Sequence, residues 1–237
     1  MAQRNKAPDK RDRILQAAVR VFAQKGFYVA RVADVAREAG VADGTIYLYF
    51  ESKEALLQGL FEESMDRILD MMRELGGEGL PPAERLLQFF ERYAQFTEEE
   101  PELAEVLTVQ LRESGKLMKQ IATKRFGEFL HLLIGLIEDG QRTGAFRQDL
   151  SARTVARAMF GALDELSLSW VMSDARWRLK DSCRELLDVF LRGMSASAEA
   201  ARLEGLTPGP VSDTSARTVR AERPQSAQGP TPAKTEH

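Results

Sequence analysis

The sequence predicts an all-α protein. Apolar residues recur at three- and four-residue spacing through almost every segment, the signature of one buried helical face. Nowhere does apolar and polar alternation persist long enough to make a strand. Glycines and prolines fall where the periodic runs end, as they do at helix boundaries.

Taken in order, Ile14, Leu15, Ala18, Val21 and Phe22 mark a first helix that Gly26 stops. Val32, Val35, Ala36 and Ala39 mark a shorter second one, closed by Gly40. A third is expected from about Ala42 to Tyr49. Ser52 is placed to cap a long fourth helix whose apolar face is Leu57, Leu60, Phe61, Met65, Ile68 and Met72. The stretch "GGEGLPPAE" (76–84) reads as a loop. Leu86, Phe89, Phe90, Tyr93 and Phe96 then define a helix, and Pro101 opens another. Residues 117–139 read as one long helix, "GAFRQDLSA" (144–152) as a turn, and 153–173 and about 177–203 as the last two helices. From about Gly205 the composition turns to Pro, Ser, Thr, Ala and Gln, too poor in large apolar side chains to offset the entropy of ordering. The expected organisation is 1–53 as an arm and N-terminal helical module, 54–203 as a larger helical body, and 204–237 as a disordered tail.

Composition bounds the function. Hydrophobic residues make up 43% of the 237 and charged residues 29%, an ordinary globular balance. No apolar run approaches the ~20 residues that span a bilayer, and the basic N-terminus is not followed by a signal-like apolar segment. The single cysteine, Cys183, excludes an internal disulfide framework, fits a reducing cytoplasm, and sits among apolar helical neighbours that suggest packing. The net charge of −3 is unevenly distributed: residues 1–53 carry ten Lys/Arg against six Asp/Glu. A basic module on an acidic body suits local phosphate binding.

"GVADGTIYLYFESKE" (40–54) gives that module a purpose. Three short helices with a tight turn at Gly40 form a helix-turn-helix, and the third is expected to lie in a major groove. Ala42, Asp43, Gly44 and Thr45 are small enough to let the backbone approach base edges. Tyr47, Tyr49 and Lys53 supply hydroxyl and ammonium groups of the kind that hold phosphates and set register. Taken singly, each reads as a core aromatic or a solvated helix-start lysine; their order after a helix-turn pattern favours a DNA clamp. Asp43 is the awkward member, because a carboxylate repels phosphate unless it accepts from a cytosine amino group.

Over about 45 residues, "RILQAAVRVFAQKGFYVARVADVAREAGVADGTIYLYFESKEALL" resembles the DNA-binding domain of TetR-family transcriptional repressors. The resemblance implies homodimeric, all-helical repressors with a diverse C-terminal ligand-binding and dimerisation domain. It carries the DNA-contact positions onto Arg31, Ala33, Asp43, Gly44, Thr45, Tyr47, Leu48, Tyr49 and Lys53. Arg31 stands where a hydroxyl residue is common, and Ala33 where a basic one is.

With "TVQLRESG" and "FGALDELSLSWVMSD", the chain looks like the fatty-acid-degradation repressors of that family. In those proteins long-chain acyl-CoA binds the C-terminal domain and releases double-stranded operator DNA. On that resemblance, the CoA end is expected at Gln110, Arg112, Lys116, Lys119, Lys124 and Arg125, and the acyl chain at Phe89, Phe90, Phe126, Leu130 and Phe160. The residues alone show only a body rich in Phe, Leu and Met, which encloses a tunnel or none. Two-fold pairing is expected through the last two helices, with Phe160, Gly161, Leu168 and Phe190 at the contact.

Other chemistries fare worse. Glu138–Asp139 and Asp164–Glu165 are adjacent helical pairs whose side chains diverge by about 100°, and His131 has no companion. No metal-ligand cluster, nucleophile–base motif or phosphate loop is found, so neither an enzyme nor a cofactor is expected. An efflux-gene repressor sensing a flat aromatic cation stays open on Asp164, Glu165 and Trp170.

Overall fold

The computed structural model describes residues 9–77, 79–111, 124–173 and 176–196, and these fold as an all-helical chain. The only extended pairing among them is one isolated bridge, Phe146 to Ser195. The helices are α1 (Lys10–Lys25), α2 (Val32–Ala39), α3 (Asp43–Ile46), α4 (Lys53–Gly77), α5 (Pro82–Glu99), α6 (Pro101–Glu105), α7 (Lys124–Arg142), α8 (Ala152–Met172) and α9 (Leu179–Met194). α6 runs on into a π-helical turn, Val106–Gln110.

Local chemistry explains most boundaries. Gly26 ends α1 at φ 75°, and Gly40 ends α2 in the left-handed conformation at φ 66°, ψ 40°, which a Cβ would oppose. The Ser52 hydroxyl accepts from Ala55 N at 3.1 Å and starts α4. Asp34 receives Arg31 N at 3.1 Å and anchors the start of α2. Ser151 accepts from Thr154 N at 3.3 Å at the start of α8.

Three expectations need correction. α3 ends at Ile46 rather than Tyr49; 47–50 continue as a tight turn, with Tyr49 N and Phe50 N both donating to Ile46 O. The π-helical turn after α6 was not anticipated. α7 continues to Arg142, past the expected end at 139, while 112–123 lie outside the described residues. So do the expected arm before residue 9 and the expected tail from 204.

Two cores result. In the first, Ile14, Leu15, Ala18 and Phe22 of α1 meet Val35 and Ala36 of α2, Ile46 of α3 and Leu56, Leu57 and Leu60 of α4. The module's core therefore runs past residue 53, and Val106 and Leu111 complete it from the far side. The second core joins Leu69, Met72 and Leu75 of α4 to Phe89 and Phe90 of α5, Leu133 of α7, Met159 and Leu163 of α8, and Cys183, Leu187 and Leu191 of α9. α4 thus belongs to both cores. Phe61 packs against each.

Candidate nucleic-acid interface and ligand cavity

The N-terminal module presents its apolar and aromatic side chains to solvent on a few residues only. Tyr28, Val29, Tyr47, Leu48 and Tyr49 are 60%, 73%, 57%, 81% and 41% exposed, five of the seven large hydrophobic side chains so exposed among the described residues. Ile46 and Phe50, which flank the trio at 47–49, are buried. The tight turn therefore anchors itself by two apolar residues and projects the three between them outward. Arg31, Ala33, Asp43 and Gly44 are exposed too, and Thr45 is half-buried. Of the expected contact positions of α2 and α3, only Thr45 is not fully exposed, and Tyr28 and Val29 in the α1–α2 loop are exposed as well.

Gly44 is informative. A Cβ built there meets nothing within 4 Å, so the protein's own packing does not require glycine. At Gly59, by contrast, a Cβ would lie 2.9 Å from the Phe50 ring, and packing alone accounts for that glycine.

Lys53 departs from the expectation of a phosphate clamp. Its ammonium donates to the carbonyls of Phe27, Tyr28 and Ala30 at 2.6, 3.1 and 3.0 Å, and stands 4.7 Å from the Phe27 ring centroid. An ammonium has three donors, and three carbonyls take them. Lys53 instead pins the α1–α2 loop to the start of α4. Asp34 performs a similar task in α2: Lys25 at 2.8 Å and Arg37 at 2.6 Å hold its carboxyl below the ordinary aspartate value, chiefly through the Lys25 hydrogen bond.

The body holds a partly open cavity of about 230 Å³ against α4. Its walls include Phe61, Ser64, Met65 and Ile68 of α4, Tyr93 of α5, Leu107, Thr108 and Leu111, Phe126 and Phe129 of α7, and Phe160 and Asp164 of α8. Phe126 and Phe160, two of the five residues expected against an acyl chain, both line it, with ring centroids 4.6 Å apart. Phe89, Phe90 and Leu130 do not line it: all three belong to the body core, and the Phe89 ring lies tilted against Phe129 of the wall, centroids 5.8 Å apart. Of the side chains that suggested a cation sensor, only Asp164 reaches the cavity. Glu165 is exposed, and the buried Trp170 donates its indole N–H to Trp177 O at 2.8 Å.

Among the expected CoA-binding cations, Arg112, Lys116 and Lys119 lie outside the described residues, as do the side chains of Gln110 and Lys124. Arg125 is bound to Asp66 at 3.1 Å and Glu128 at 3.3 Å. Of the expected pairing residues, Phe160 is committed to the cavity ring cluster. Gly161 is exposed with nothing within 4 Å of a Cβ, and Leu168 and Phe190 are half-buried. The two other exposed large hydrophobic side chains, Met172 at 70% and Val189 at 67%, stand on these same helices.

The described residues contain no group of three or more acidic, histidine or cysteine side chains able to hold a metal ion. They also contain no helix long and apolar enough to cross a membrane.

Comparison with known proteins bears on both sites. Residues 14–60 match the bacterial regulatory proteins of the tetR family, and residues 61–193 the C-terminal region of YsiA-like proteins. The fatty acid metabolism regulator protein of Bacillus subtilis is 32% identical over 181 residues, 76% of this chain and 93% of that one. The solved structure of the fatty acid degradation regulator FadR from Bacillus halodurans is similar at 35% identity and TM-score 0.75, covering 80% of this chain and 98% of that one. That of FadR from Bacillus subtilis in complex with stearoyl-CoA is similar at 32% identity and TM-score 0.72, covering 76% and 97%.

Proposed function

The chain belongs to the TetR family of bacterial regulatory proteins, and on that premise we propose that it is a homodimeric repressor of fatty-acid degradation genes, released from its operator by long-chain acyl-CoA. It works in the cytoplasm, without a catalytic site or a cofactor. The DNA-binding module of residues 1–53 shares α4 with the ligand-binding and dimerisation body of 54–203, since Leu56, Leu57 and Leu60 pack in the module's core. The observation that carries the reading is the phenylalanine-lined cavity on α4. The likeness to the Bacillus subtilis regulator with stearoyl-CoA supports the choice of ligand.

At the DNA, Thr45 reads a base edge, Tyr47 and Tyr49 hold phosphates, and Gly44 lets the duplex come close. Arg31 supplies charge at the start of α2. One such short element makes few base contacts, so two copies must read a palindrome, with half-sites about one helical turn (~34–36 Å) apart. The exposed Met172 and Val189, with Gly161, Leu168 and Phe190, support pairing through α8 and α9.

Release follows from size. A cavity of 150 Å³ takes a benzene ring, so about 230 Å³ takes a segment of a long acyl chain rather than all of it. Seating the rest parts the walls in this reading. Each buried methylene contributes about 0.8 kcal/mol, so seven or more exceed the ~5.5 kcal/mol that inverts a 99:1 equilibrium. Ser64, on the cavity wall, is four residues beyond Leu60 in the module's core, about 6 Å along α4. A tilt of α4 therefore moves the recognition elements directly. The CoA moiety, on Arg112 and its basic neighbours, adds phosphate contacts.

A repressor of a detoxification gene sensing an aromatic cation is not favoured: it retains Asp164 as its one cavity carboxylate, against the fatty-acid regulators found by comparison. A gel shift separates the two. Oleoyl-CoA should free the operator fragment while free CoA and ethidium leave it bound. Release by ethidium alone would replace this reading with the other.

A further inference from the structure

The loop between α1 and α2 presents an aromatic and a β-branched side chain to solvent. Phe27 and Ala30, 3% and 2% exposed, turn into the module's core, and between them Tyr28 and Val29 stand 60% and 73% exposed. The loop is held in one shape from three sides. Ala30 N donates to Gly26 O at 3.1 Å and closes the turn. The Phe27 ring packs edge-on against Phe22, centroids 5.4 Å apart, and the Tyr28 ring rests edge-on against Phe27 at 5.6 Å. The Lys53 ammonium gathers the carbonyls of Phe27, Tyr28 and Ala30. A tip fixed this way needs little further ordering on binding, which lowers the entropy cost of a contact made there.

Its neighbours show what it faces. Lys53 starts α4, three residues beyond the buried Phe50 that anchors the outward turn at 47–49, so one ammonium ties the loop to the end of the recognition element. On its other side the loop runs into the exposed Arg31 at the start of α2. Tyr28 and Val29 thus adjoin two parts of the DNA-binding face, on a segment with ten Lys/Arg against six Asp/Glu in residues 1–53. Three residues of chain span at most about 10 Å, or about three base pairs of rise at ~3.4 Å each. A duplex held at Arg31 therefore brings its next phosphates within reach of the loop tip.

We propose that the tip of the α1–α2 loop is a further DNA contact: the Tyr28 hydroxyl donates to a backbone phosphate and Val29 lies against the sugar beside it. Each subunit's grip is extended by one phosphate, with no base read. The proposal rests on the module binding operator DNA.

Charge placed at Val29 tests this with both signs. At 73% exposure the position accepts Lys or Glu without disturbing the core. At 0.15 M salt, charges more than about 8 Å apart are largely screened, so only a side chain close to the DNA backbone responds. Val29→Lys should tighten binding to operator and random duplex alike by about fivefold per subunit at 0.15 M salt, and steepen the slope of log affinity against log salt by about 0.9 per subunit. Val29→Glu should weaken binding to both duplexes. Tyr28→Phe, which keeps the ring on Phe27, should weaken both by roughly fivefold per subunit, with the salt slope unchanged because a neutral hydroxyl displaces no counterion. Wild-type binding that none of the three variants alters overturns the proposal, leaves the repressor reading standing, and turns the loop toward a protein partner. Weakening by Val29→Lys and Val29→Glu together also overturns it, since the loop's shape and not its charge would then be what matters. A wild type that binds no duplex removes the repressor reading, and this contact with it.

Discussion

Replacing Lys53 by methionine keeps the aliphatic stem over Phe27 and removes the ammonium that three loop carbonyls share. The Phe27 and Ala30 bonds are part-buried and the Tyr28 bond is exposed. Hydrogen bonds to a charged group contribute roughly 1.5–3 kcal/mol each when shielded, and less in water. The freed carbonyls partly rehydrate, so the net loss should be about 2 kcal/mol, or about 4–8 °C in Tm for a chain of this size. Operator affinity should fall as well, because the loop bearing Tyr28 and Val29 loses its anchor. The slope of log affinity against log salt distinguishes this from a phosphate contact. Each phosphate released changes that slope by about 0.9, so an anchoring lysine leaves it unaltered. Thermal unfolding and filter binding at several salt concentrations make the test. An unchanged Tm with a slope shallower by about 0.9 per subunit would refute the anchoring role and restore the phosphate contact.

Two further outcomes follow from the same geometry. Gly44→Val adds a branched side chain where nothing in the protein lies within 4 Å of a Cβ. Thermal unfolding should be nearly unchanged while operator affinity drops by about tenfold, on the scale of one lost base contact; equal losses in both would make Gly44 a folding residue. Acid should destabilise the protein through Asp34, Asp139 and Asp149, whose carboxyls are depressed by hydrogen bonds from Lys25, Arg142 and Arg147 respectively, with Arg85 adding to Arg142 at Asp139. A depressed folded-state value gives stability that is present above the ordinary value near 3.8 and lost as pH falls below it toward the folded values. Asp34→Asn should therefore flatten the denaturation curve below the ordinary value near 3.8, and an unaltered curve would count against the Lys25–Asp34 pair.

The ends of α1 and α2 were legible, because periodicity and a terminal glycine agree at Gly26 and Gly40. The end of α3 was not, since Tyr47, Leu48 and Tyr49 carry no helix-breaking residue, while the tight turn goes with the burial of Phe50. The π-helical turn was hidden for a related reason: one extra residue in a turn leaves no mark in a pattern of three- and four-residue spacings. At the cavity, Phe126 and Phe160 could be read from the sequence. Phe89 and Phe90 look the same by composition, and which phenylalanine borders a void is decided by neighbours far along the chain. The anchoring bonds of Lys53 were hidden, because a lysine near a helix-turn-helix suggests DNA. The acceptors that claim it are backbone carbonyls of a loop, which leave no mark in side-chain sequence.

The central claim is that ligand and operator compete through one protein equilibrium rather than for one surface. Calorimetric titration of oleoyl-CoA into the free dimer and into its operator complex, at one salt concentration, measures this directly. Linkage requires the operator to weaken oleoyl-CoA by the same factor by which oleoyl-CoA weakens the operator, typically between about 5- and 150-fold. The account predicts that the two factors agree. Equal oleoyl-CoA affinity with and without operator would contradict it.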